Sequence, residues 1–335
     1  MARVRKPLVL AGDVGGTKTD LALVDRVGKR LVPVVQHRLE SRSYRRFEDM
    51  LKAFLGSEPV DISAACFGVA GPVVGGRCRA TNLPWVIETR ALQRMLGIDR
   101  VGLLNDLEAM AYGVQTLAPD SLVTLNSGRP QPRAAIAVIA AGTGLGEAAL
   151  IWDGLHYRAM ASEGGHADFA PRTELEVQLW RHLRRRYGHV SYERVVSGPG
   201  KLAVYDFLRH VMKAKEPAWL KARMARADHS AVVSEVALEG RWRPCVKAVE
   251  LFASVYGAEA GNLALKVMAT GGVFVGGGIA PTILPVLKRG PFMDAFVDKG
   301  RLSGMMARIP VHVILEPKTA LLGAANYAWR LSARR

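Results

Sequence analysis

A glycine-rich turn between two apolar runs, at Leu8–Asp25, constrains the fold of this chain more than any other stretch. The apolar run Leu8–Ala11 leads into the turn Gly12–Thr17, and a second apolar run, Leu21–Val24, follows with no room for a helix between them. This pattern predicts a β-hairpin. Glycines in such a turn allow several backbone N–H groups to face one anion, so the hairpin is a candidate phosphate site.

The turn also carries an acidic residue, Asp13, beside Gly15 and Gly16. The two glycines permit a positive φ, and Thr17 and Lys18 add a hydroxyl group and a cation. A carboxylate at the mouth of a phosphate site repels the anion unless a cation such as Mg²⁺ lies between them. The P-loop pattern is absent from this turn, and an ordinary tight hairpin turn is the alternative interpretation.

Composition indicates a globular protein of two domains. The chain has 335 residues, of which 49% are hydrophobic, enough for a large buried core. Its cysteines, Cys66, Cys78 and Cys245, lie far apart and form no C-x-x-C pair, which argues against a disulfide framework and a zinc site. A reducing cytoplasm is therefore expected.

Two segments were candidates for membrane targeting or insertion, and neither pattern supports it. The start of the chain is basic, but Asp13 follows too soon for a signal peptide. The uncharged run between Lys266 and Lys288 contains five glycines and two prolines, which favours soluble core over a membrane span.

The formal net charge of +16 requires nucleic-acid binding to be weighed. The basic residues are scattered, with one local run at Arg181–Arg186, and no basic patch interleaved with aromatic residues is evident. We interpret that run as the solvated face of a helix, so nucleic-acid binding is disfavoured.

Strands and helices alternate in the first third of the chain. The predicted elements are strands at Leu31–Leu39, Ala64–Val69 and Val101–Leu104, and helices at Phe47–Leu55, Glu88–Leu96 and Leu107–Leu117. This alternation indicates an α/β domain with a mostly parallel sheet, which binds ligands at the carboxyl ends of its strands. Asn105 and Asp106 occupy such an end; the alternative role of Asp106 is to cap the following helix.

A second glycine-turn hairpin opens the other half of the chain. After a polar connection at Pro119–Arg133, two apolar runs within Ala134–Trp152 flank the turn Gly142-Thr143-Gly144. The recurrence of a glycine-turn hairpin 130 residues after Gly12 predicts two copies of one unit facing each other. A nucleotide could then bind in the cleft, with a phosphate-binding hairpin on either side.

Three further sites follow the second hairpin. Glu163 and His166 are separated by two glycines, and we prefer hydrogen bonding to a polyhydroxylated ligand over metal binding, with a surface turn as the alternative. Glu193 is equally well explained as a surface charge. Gly276–Gly278 follow a short apolar strand and would let the backbone approach a flat ligand such as adenine, although a tight strand-to-helix turn explains them too.

The remaining predicted elements are helices at Thr173–Arg186, Leu202–Val211, Pro244–Met268 and Ala320–Leu331, and strands at Val273–Val275 and Val311–Leu315.

The order of the motifs resembles the bacterial glucokinase family, part of the hexokinase-like, actin-fold sugar kinases. The resemblance covers about Leu8 to Leu331. It is carried by Gly12-Asp13-Val14-Gly15-Gly16-Thr17, Leu104-Asn105-Asp106, Gly142-Thr143-Gly144-Leu145-Gly146, Glu163-Gly164-Gly165-His166, Ser197-Gly198-Pro199-Gly200, Gly271-Gly272-Val273-Phe274 and Asp298-Lys299-Gly300-Arg301. Each motif alone is weak evidence for the family, but seven motifs in the order found in the family are specific to it.

The resemblance implies a two-domain actin-like (ribonuclease H-like) α/β fold with a cleft between the domains. Residues 1–115 with 319–335 would form the small domain and residues 116–318 the large one. The implied activity is ATP-dependent transfer of the γ-phosphoryl group to the 6-hydroxyl of glucose, the first step of glycolysis, with Mg²⁺ as cofactor. A cytoplasmic homodimer is also implied.

The resemblance assigns roles to individual residues of this chain. Asp106 would be the general base, and Asp13 would hold Mg²⁺ through water. The residues that would bind sugar hydroxyls are Asn82, Asn105, Glu163, His166 and Glu193. Those that would bind the nucleotide are Gly12, Asp13, Gly15, Gly16, Thr17, Gly142, Thr143, Gly144, Gly276, Gly277 and Gly278.

Several related interpretations need to be separated from a glucose kinase. Sugar kinases and repressors of the ROK family share the fold, but they typically have a cysteine-rich zinc motif after the E-x-G-H segment, and no cysteine occurs between Ala167 and Gly198. A repressor would also need a helix-turn-helix before the first strand. A weakly catalytic, sugar-binding regulator with a basic surface, or a kinase for another hexose, stays open.

Overall fold

The computed structural model describes residues 7–28, 30–57 and 60–333. Its strands are β1 (Leu8–Val14), β2 (Lys18–Val27), β3 (Arg30–Glu40), β4 (Ile62–Val69), β5 (Val73–Val74), β6 (Arg77–Arg79), β7 (Val86–Glu88), β8 (Val101–Asn105), β9 (Leu122–Asn126), β10 (Ile136–Ala141), β11 (Leu145–Trp152), β12 (Tyr157–Ser162), β13 (Gly272–Gly276) and β14 (Val311–Ile314). Its helices are α1 (Phe47–Leu55), α2 (Thr89–Leu96), α3 (Asp106–Val114), α4 (Glu174–Tyr187), α5 (Gly198–Val211), α6 (Ala218–Met224), α7 (His229–Leu238), α8 (Arg243–Val267), α9 (Ile279–Thr282), α10 (Leu284–Leu287), α11 (Pro291–Val297), α12 (Ser303–Met306) and α13 (Thr319–Ala333). The basic start considered for a signal peptide falls mostly on residues 1–6, outside the described residues.

The chain divides into two compact units. The first unit contains the residues up to Pro119, Arg158–Ala161, and the residues from Glu316 onward. The second unit contains Asp120–Tyr157 and Ser162–Leu315. The domain boundaries given above from the sequence stay a prediction.

The first unit is built on a five-stranded sheet in the order β3-β2-β1-β4-β8. β1 pairs antiparallel with β2 and parallel with β4, and β4 pairs parallel with β8. The predicted hairpin is therefore confirmed. Its turn is shorter than expected, because β1 continues to Val14 and only Gly15–Thr17 separate the strands.

The sheet of the second unit repeats this arrangement in the order β12-β11-β10-β13-β14-β9. β10 pairs antiparallel with β11 and parallel with β13, and β13 pairs parallel with β14. The predicted recurrence of the glycine-turn hairpin is thus confirmed, and it extends to the parallel strands that follow each hairpin.

Helix α13 returns to the first unit, as the sequence predicted for the closing helix. It packs on α3 so closely that a Cβ added to Gly323 would lie 1.7 Å from the carbonyl oxygen of Ala109. A Cβ added to Gly113 on α3 would lie 2.0 Å from the carbonyl oxygen of Thr319. Glycine at both positions lets the two backbones touch.

Several predicted helix ends are confirmed by their caps. Helix α1 has the predicted bounds, and α2 ends at Gly97 in the left-handed region, with φ of 67°. Thr173 caps α4, because its side chain accepts a hydrogen bond from Glu176 N, and Gly188 ends that helix.

Three segments that the sequence pattern leaves as loops or polar connections contain regular structure. β5 to β7 form a small three-stranded sheet whose first turn contains Gly75 and Gly76, with φ of 59° and 73°. Two such glycines are a hairpin signal. β9 lies in the predicted connection Pro119–Arg133; it is an edge strand, and its half-exposed side chains give no continuous apolar run. Helices α6 and α7 lie in the polar segment after α5.

The basic run at Arg181–Arg186 lies on α4, and its arginines are exposed, as predicted. Two half-buried aromatic residues, Trp180 and Tyr187, flank the run. The guanidinium of Arg184 lies 5.0 Å from the ring centre of Trp180, and that of Arg194 lies 4.4 Å from Tyr187. Each ring thus already has a cation from the same chain over it.

None of the helices within the described residues is both long and apolar enough to cross a membrane. Cys66, Cys78 and Cys245 are buried free thiols, in agreement with the absence of a disulfide framework.

Candidate active site

The turn of the first hairpin is held by a serine that the sequence did not single out. Ser41 is fully buried, and its hydroxyl donates to the carbonyl oxygen of Gly15 at 2.7 Å. The Ser41 amide donates to the carbonyl oxygen of Thr17 at 2.8 Å, and its hydroxyl lies 2.9 Å from that of Thr19. The Gly15 amide closes the turn on the carbonyl oxygen of Lys18 at 3.1 Å. The turn is therefore fixed from both sides.

Gly15 and Gly16 are needed for space and not for a special conformation. Neither has a positive φ, which corrects the expectation from the sequence. A Cβ added to Gly16 would lie 2.7 Å from the Cβ of Asn82, so the missing side chain brings Asn82 against the turn. Gly12 lies within β1, where a Cβ would approach the ring of Phe67 to 2.7 Å. Glycine at position 12 therefore leaves room for the ring of Phe67 in the core.

Asp13 lies near the end of β1 among other acids. It pairs across the hairpin with Asp20, to which Arg38 donates hydrogen bonds of 2.8 to 3.1 Å. The pKa of Asp13 is raised to about 7, mainly by burial and additionally by the negative charges of Asp106 and Asp20, while Arg38 opposes the rise. A cation beside Asp13 would relieve both the burial and the repulsion.

Asn105, not Asp106, caps helix α3, which corrects the alternative given for Asp106. The side chain of Asn105 accepts from the amide of Leu107 at 2.8 Å and donates to the carbonyl oxygen of Gly71 at 3.1 Å. Glu108 completes a capping box by accepting from the Asn105 amide at 3.0 Å. Asp106 is the first residue of the helix, and its carboxylate accepts from the amide of Leu107 at 2.9 Å.

The close approach of α3 to β4 sets the position of Asp106. A Cβ added to Gly68 would lie 2.7 Å from the Cβ of Ala109 and 3.8 Å from the Cα of Asp106. Gly68 also pairs with Asp13 in the parallel register of β1 and β4. Both acids thus lie at the carboxyl edge of the sheet, where α/β sheets bind ligands.

The second hairpin turn contacts a predicted site residue, Glu193. The Glu193 carboxylate accepts from the amide of Leu145 at 3.0 Å, and a Cβ added to Gly144 would lie 2.5 Å from it. The Gly198 amide donates to the carbonyl oxygen of Gly142 at 2.8 Å. Glu193 is half-buried and hydrogen-bonded, so the interpretation as a surface charge was wrong.

Glu163 and His166 lie on a tight turn against β11. Gly164–His166 form a single 3₁₀ turn, and the His166 amide donates to the carbonyl oxygen of Glu163 at 3.0 Å. A Cβ added to Gly165 would lie 2.0 Å from the carbonyl oxygen of Leu145, so the turn needs glycine there. Within the described part of the chain, no hydrogen bond or ion pair engages the exposed side chain of Glu163 or His166, so both are available to a ligand.

The turn with Glu163 and the turn with Glu193 are held next to each other. Ala167–Phe169 pairs with Val190–Tyr192 through backbone hydrogen bonds of 2.9 and 3.0 Å. The three predicted sugar-binding residues of the second unit, Glu163, His166 and Glu193, therefore lie on neighbouring segments.

A buried acid pair that the sequence did not reveal lies below these turns. Glu147 on β11 and Glu259 on α8 are 1% and 0% exposed. Burial, together with the charge of Glu259, raises the pKa of the Glu147 carboxyl to about 8. Lys266 contacts Glu259 at 3.3 Å, and Asn262 donates to it at 2.8 Å.

The glycine turn after β13 packs against the end of β10. Gly277 has a φ of 80°, and a Cβ there would lie 2.2 Å from the carbonyl oxygen of Ala141. The fully buried hydroxyl of Tyr256 bonds to the carbonyl oxygens of Ile139 and Gly276 and accepts from the Ala141 amide, at 3.1 to 3.2 Å. The Gly142 and Gly277 turns are therefore fixed together at one edge of the sheet.

The predicted site residues thus form one group in each unit. In the first unit they are Gly12, Asp13, Gly15, Gly16, Thr17, Asn82, Asn105 and Asp106. In the second unit they are Gly142, Thr143, Gly144, Glu163, His166, Glu193, Gly276, Gly277 and Gly278.

Comparison with known proteins points to one family. The model of the glucokinase family matches residues 10–331. The chain is 43% identical to the glucokinase of Synechocystis sp., over 94% of this chain and 96% of that protein. It is 38% identical to the glucokinase of Chromobacterium violaceum, over 97% of this chain and 90% of that protein.

Solved structures agree with the sequence relatives. The crystal structure of a glucokinase from an Antarctic psychrotroph has a TM-score of 0.86 and 29% identity, over 97% of this chain and all of that one. A ROK family glucokinase from Streptomyces griseus, in complex with glucose and AMPPNP, has a TM-score of 0.65 at 22% identity, over 96% of this chain and 99% of that one. The second likeness shows the fold alone, and together they confirm the actin-like sugar kinase fold predicted from the motifs.

Proposed function

Because this chain belongs to the glucokinase family, we propose that Asp106 is the general base of its reaction and that the two groups of site residues bind glucose and ATP. The chain is a glucokinase, which phosphorylates glucose with ATP. The roles of individual residues below are our proposal.

The position of Asp106 is the observation that carries the proposal. Its carboxylate lies at the first residue of α3, held by the Leu107 amide, at the edge of the sheet that also carries Asp13. In the transfer, Asp106 accepts the proton of the glucose 6-hydroxyl as that oxygen bonds to the γ-phosphorus. The bond from the γ-phosphorus to the bridging oxygen breaks, and ADP leaves with that electron pair.

Sugar recognition is proposed for Asn82, Asn105, Glu163, His166 and Glu193. Carboxylates accept from hydroxyl groups, whereas amide and imidazole N–H groups donate to them, so this set can satisfy both roles of a sugar hydroxyl. The free side chains of Glu163 and His166 support this. A sugar that leaves such groups unpaired would lose transition-state binding, which gives selectivity among hexoses.

Nucleotide binding is proposed for the glycine turns. The N–H groups of Gly16, Thr17, Thr143 and Gly144 would bind phosphate oxygens, whereas the Gly15 and Gly142 amides close the two turns on the carbonyl oxygens of Lys18 and Gly144. Gly12 and Asp13 lie at the end of β1 beside the first turn. Gly276–Gly278 would border adenine, because the exposed Gly278 presents bare backbone there.

Mg²⁺ is proposed as the cofactor, held by Asp13 through water. The raised pKa of Asp13 among Asp106 and Asp20 supports a cation at this place. Among the described residues, no group of three or more potential protein ligands lies close enough to hold a metal alone. Mg²⁺ in kinases usually takes one or two carboxylates, substrate phosphates and water, so the two findings agree. When bound, the ion neutralises charge on the phosphates.

The family resemblance also supports a homodimer in the cytoplasm, which we propose. Buried free thiols at Cys66, Cys78 and Cys245 suit a reducing compartment. Analytical ultracentrifugation tests the dimer directly.

The proposal is tested by sugar 6-phosphate formation from Mg-ATP over a panel of hexoses, with Asp106→Asn as the test variant. We expect at least a ~10²-fold lower kcat with glucose, while calorimetry still detects glucose binding. Asp99→Asn is the matched control, because Asp99 is exposed and seven positions earlier, and it should behave like the unmodified enzyme. Near-normal turnover in Asp106→Asn would refute the assignment of the base.

A further inference from the structure

The buried pair Glu147 and Glu259 lies in contact with the turn that carries Glu163 and His166. A Cβ added to Gly164 would lie 2.1 Å from Oε2 of Glu147, so the Gly164 backbone rests on that carboxyl group. Any shift of Glu147 is therefore transmitted directly to this turn.

The pair is also connected to the turn that carries Glu193. The Asn262 side chain donates to Glu259 at 2.8 Å and to the hydroxyl of Tyr192 at 2.9 Å. Tyr192 is 3% exposed and precedes Glu193 in the second turn. Lys299 donates to the Asn262 side-chain oxygen at 2.8 Å, which fixes the orientation of that amide. One buried polar cluster thus supports both turns.

The charges around the pair allow only one of its carboxyls to ionise at low cost. Glu147 is almost fully buried, and both its burial and the negative charge of Glu259 disfavour the ionised form of Glu147. The groups of α8 that face the pair are Lys266 and the Tyr256 hydroxyl, and Tyr192 and Lys299 approach it from the other side. Lys266 contacts Glu259 and offsets that charge, whereas Oε1 of Glu147 has no hydrogen-bond partner among the described residues. A second charge at Glu147 would be buried without compensation.

We propose that Glu147 is a positioning residue whose protonated carboxyl, beside Glu259, holds both sugar-binding turns in place, so that loss of this proton weakens glucose binding and leaves phosphoryl transfer intact. This inference depends on the proposed sugar-binding role of Glu163, His166 and Glu193. To the proposed sugar site it adds Glu147 and Glu259, which contact no sugar. It also predicts that glucose affinity falls at alkaline pH.

The expected signature separates binding from chemistry. Because only the protonated pair holds the turns, KM for glucose should rise at least ~5-fold between about pH 7 and pH 9.5, with a limit of about tenfold per pH unit. At saturating glucose and ATP, ionisation of Glu147 should change kcat less than ~2-fold. Glucose binding near pH 8 should also take up protons, because binding and protonation favour the same state.

The test compares the unmodified enzyme with Glu147→Gln and with Glu176→Gln as the control. The amide that Glu147→Gln introduces is uncharged at any pH and has nearly the shape of the protonated carboxyl, so this variant should keep a low KM for glucose and lose both the alkaline rise and the proton uptake. Glu176 is an equally buried acid, 1% exposed, in the same unit, and bonds to the Arg172 amide at 2.6 Å. Its variant should reproduce the unmodified pH profile. Proton uptake is measured by glucose calorimetry in two buffers that differ in ionisation enthalpy.

A second readout covers the case in which Glu147→Gln folds poorly. Infrared difference spectra of the unmodified enzyme should show a protonated carboxyl band that disappears at alkaline pH together with glucose affinity. A band that persists while affinity falls, or an alkaline rise in KM that survives in Glu147→Gln, would overturn the inference. If Glu163→Gln and His166→Asn also leave KM for glucose unchanged, the proposed sugar site itself has failed, so the two failures are distinguishable.

Discussion

The Ser41 hydroxyl donates a 2.7 Å hydrogen bond to the carbonyl oxygen of Gly15, 26 positions earlier in the chain. Ser41 lies just after β3, whose last residue, Glu40, pairs with Lys18 at the start of β2. The proposed phosphate turn therefore owes its shape to a side chain outside its own motif.

Replacement of this serine should weaken ATP binding specifically. Ser41→Ala leaves the Gly15 carbonyl without its donor, a loss of about 1–3 kcal/mol when the acceptor is buried. Water can reach part of this turn, so we expect KM for ATP to rise ~5-fold, with KM for glucose within ~2-fold of the unmodified value. Steady-state kinetics with each substrate varied in turn measures both. Ser63→Ala is the control, because Ser63 makes a similar bond, of 3.1 Å, to the carbonyl oxygen of Leu8 in the same sheet. Equal effects of the two variants would contradict the prediction.

Glu163 and His166 should affect the sugar and spare the nucleotide. Glu163→Gln replaces a charged acceptor of a sugar hydroxyl by a neutral one, and His166→Asn withdraws the imidazole from its hydroxyl. A hydrogen bond is worth about 0.5–1.5 kcal/mol between neutral groups and about 1.5–3 kcal/mol to a charged group. KM for glucose should therefore rise ~10-fold or more, with KM for ATP nearly unchanged. Asp168→Asn, on an exposed neighbour in the same segment, should change neither constant. A parallel rise in both constants would remove Glu163 and His166 from the sugar site.

Lys201 predicts a pH-dependent contribution to stability. It is 2% exposed, its ammonium group donates to the hydroxyl of Ser234, and burial lowers its pKa to about 8 from 10.5. Between these values the unfolded chain binds more protons at Lys201 than the folded protein does. The free energy of unfolding should therefore increase with pH in this window, by up to about 1.4 kcal/mol per unit.

Lys201→Met should remove that increase. Urea denaturation between about pH 7.5 and pH 10 should show the unmodified protein gaining stability relative to the variant as the pH rises. Lys221→Met, at an exposed position on α6, is the matched control and should follow the unmodified protein. Parallel curves for Lys201→Met and the unmodified protein would show that Lys201 carries its charge in the folded state.

The sequence predicted the two hairpins, most helices and the family because these features depend on local patterns. Helix α1 was predicted at its observed bounds from apolar spacing, and α4 was predicted to within one residue at each end. The place of Asp106 at the carboxyl edge of the sheet followed from a general rule, since Val101–Leu104 was predicted as a strand of a mostly parallel sheet.

The features that the sequence missed depend on contacts between distant segments. Ser41 is an ordinary serine until β3 returns it to the first turn, and Glu147 and Glu259 look like two charges in a strand and a helix. Even the reason for Gly16 was different: the chain needs room for Asn82 there, not a positive φ. Local patterns hold no information on such neighbours.

Helix α13 has a consequence for the order in which the protein can be made. The first unit needs this helix, because α13 packs on β1, β4 and α3, yet about 200 residues separate it from α3 along the chain. On the ribosome, the whole second unit is synthesised before the first unit can close. The face of the nascent first unit that binds α13 therefore stays exposed until α13 has been synthesised. During this stage of synthesis a chaperone would be needed.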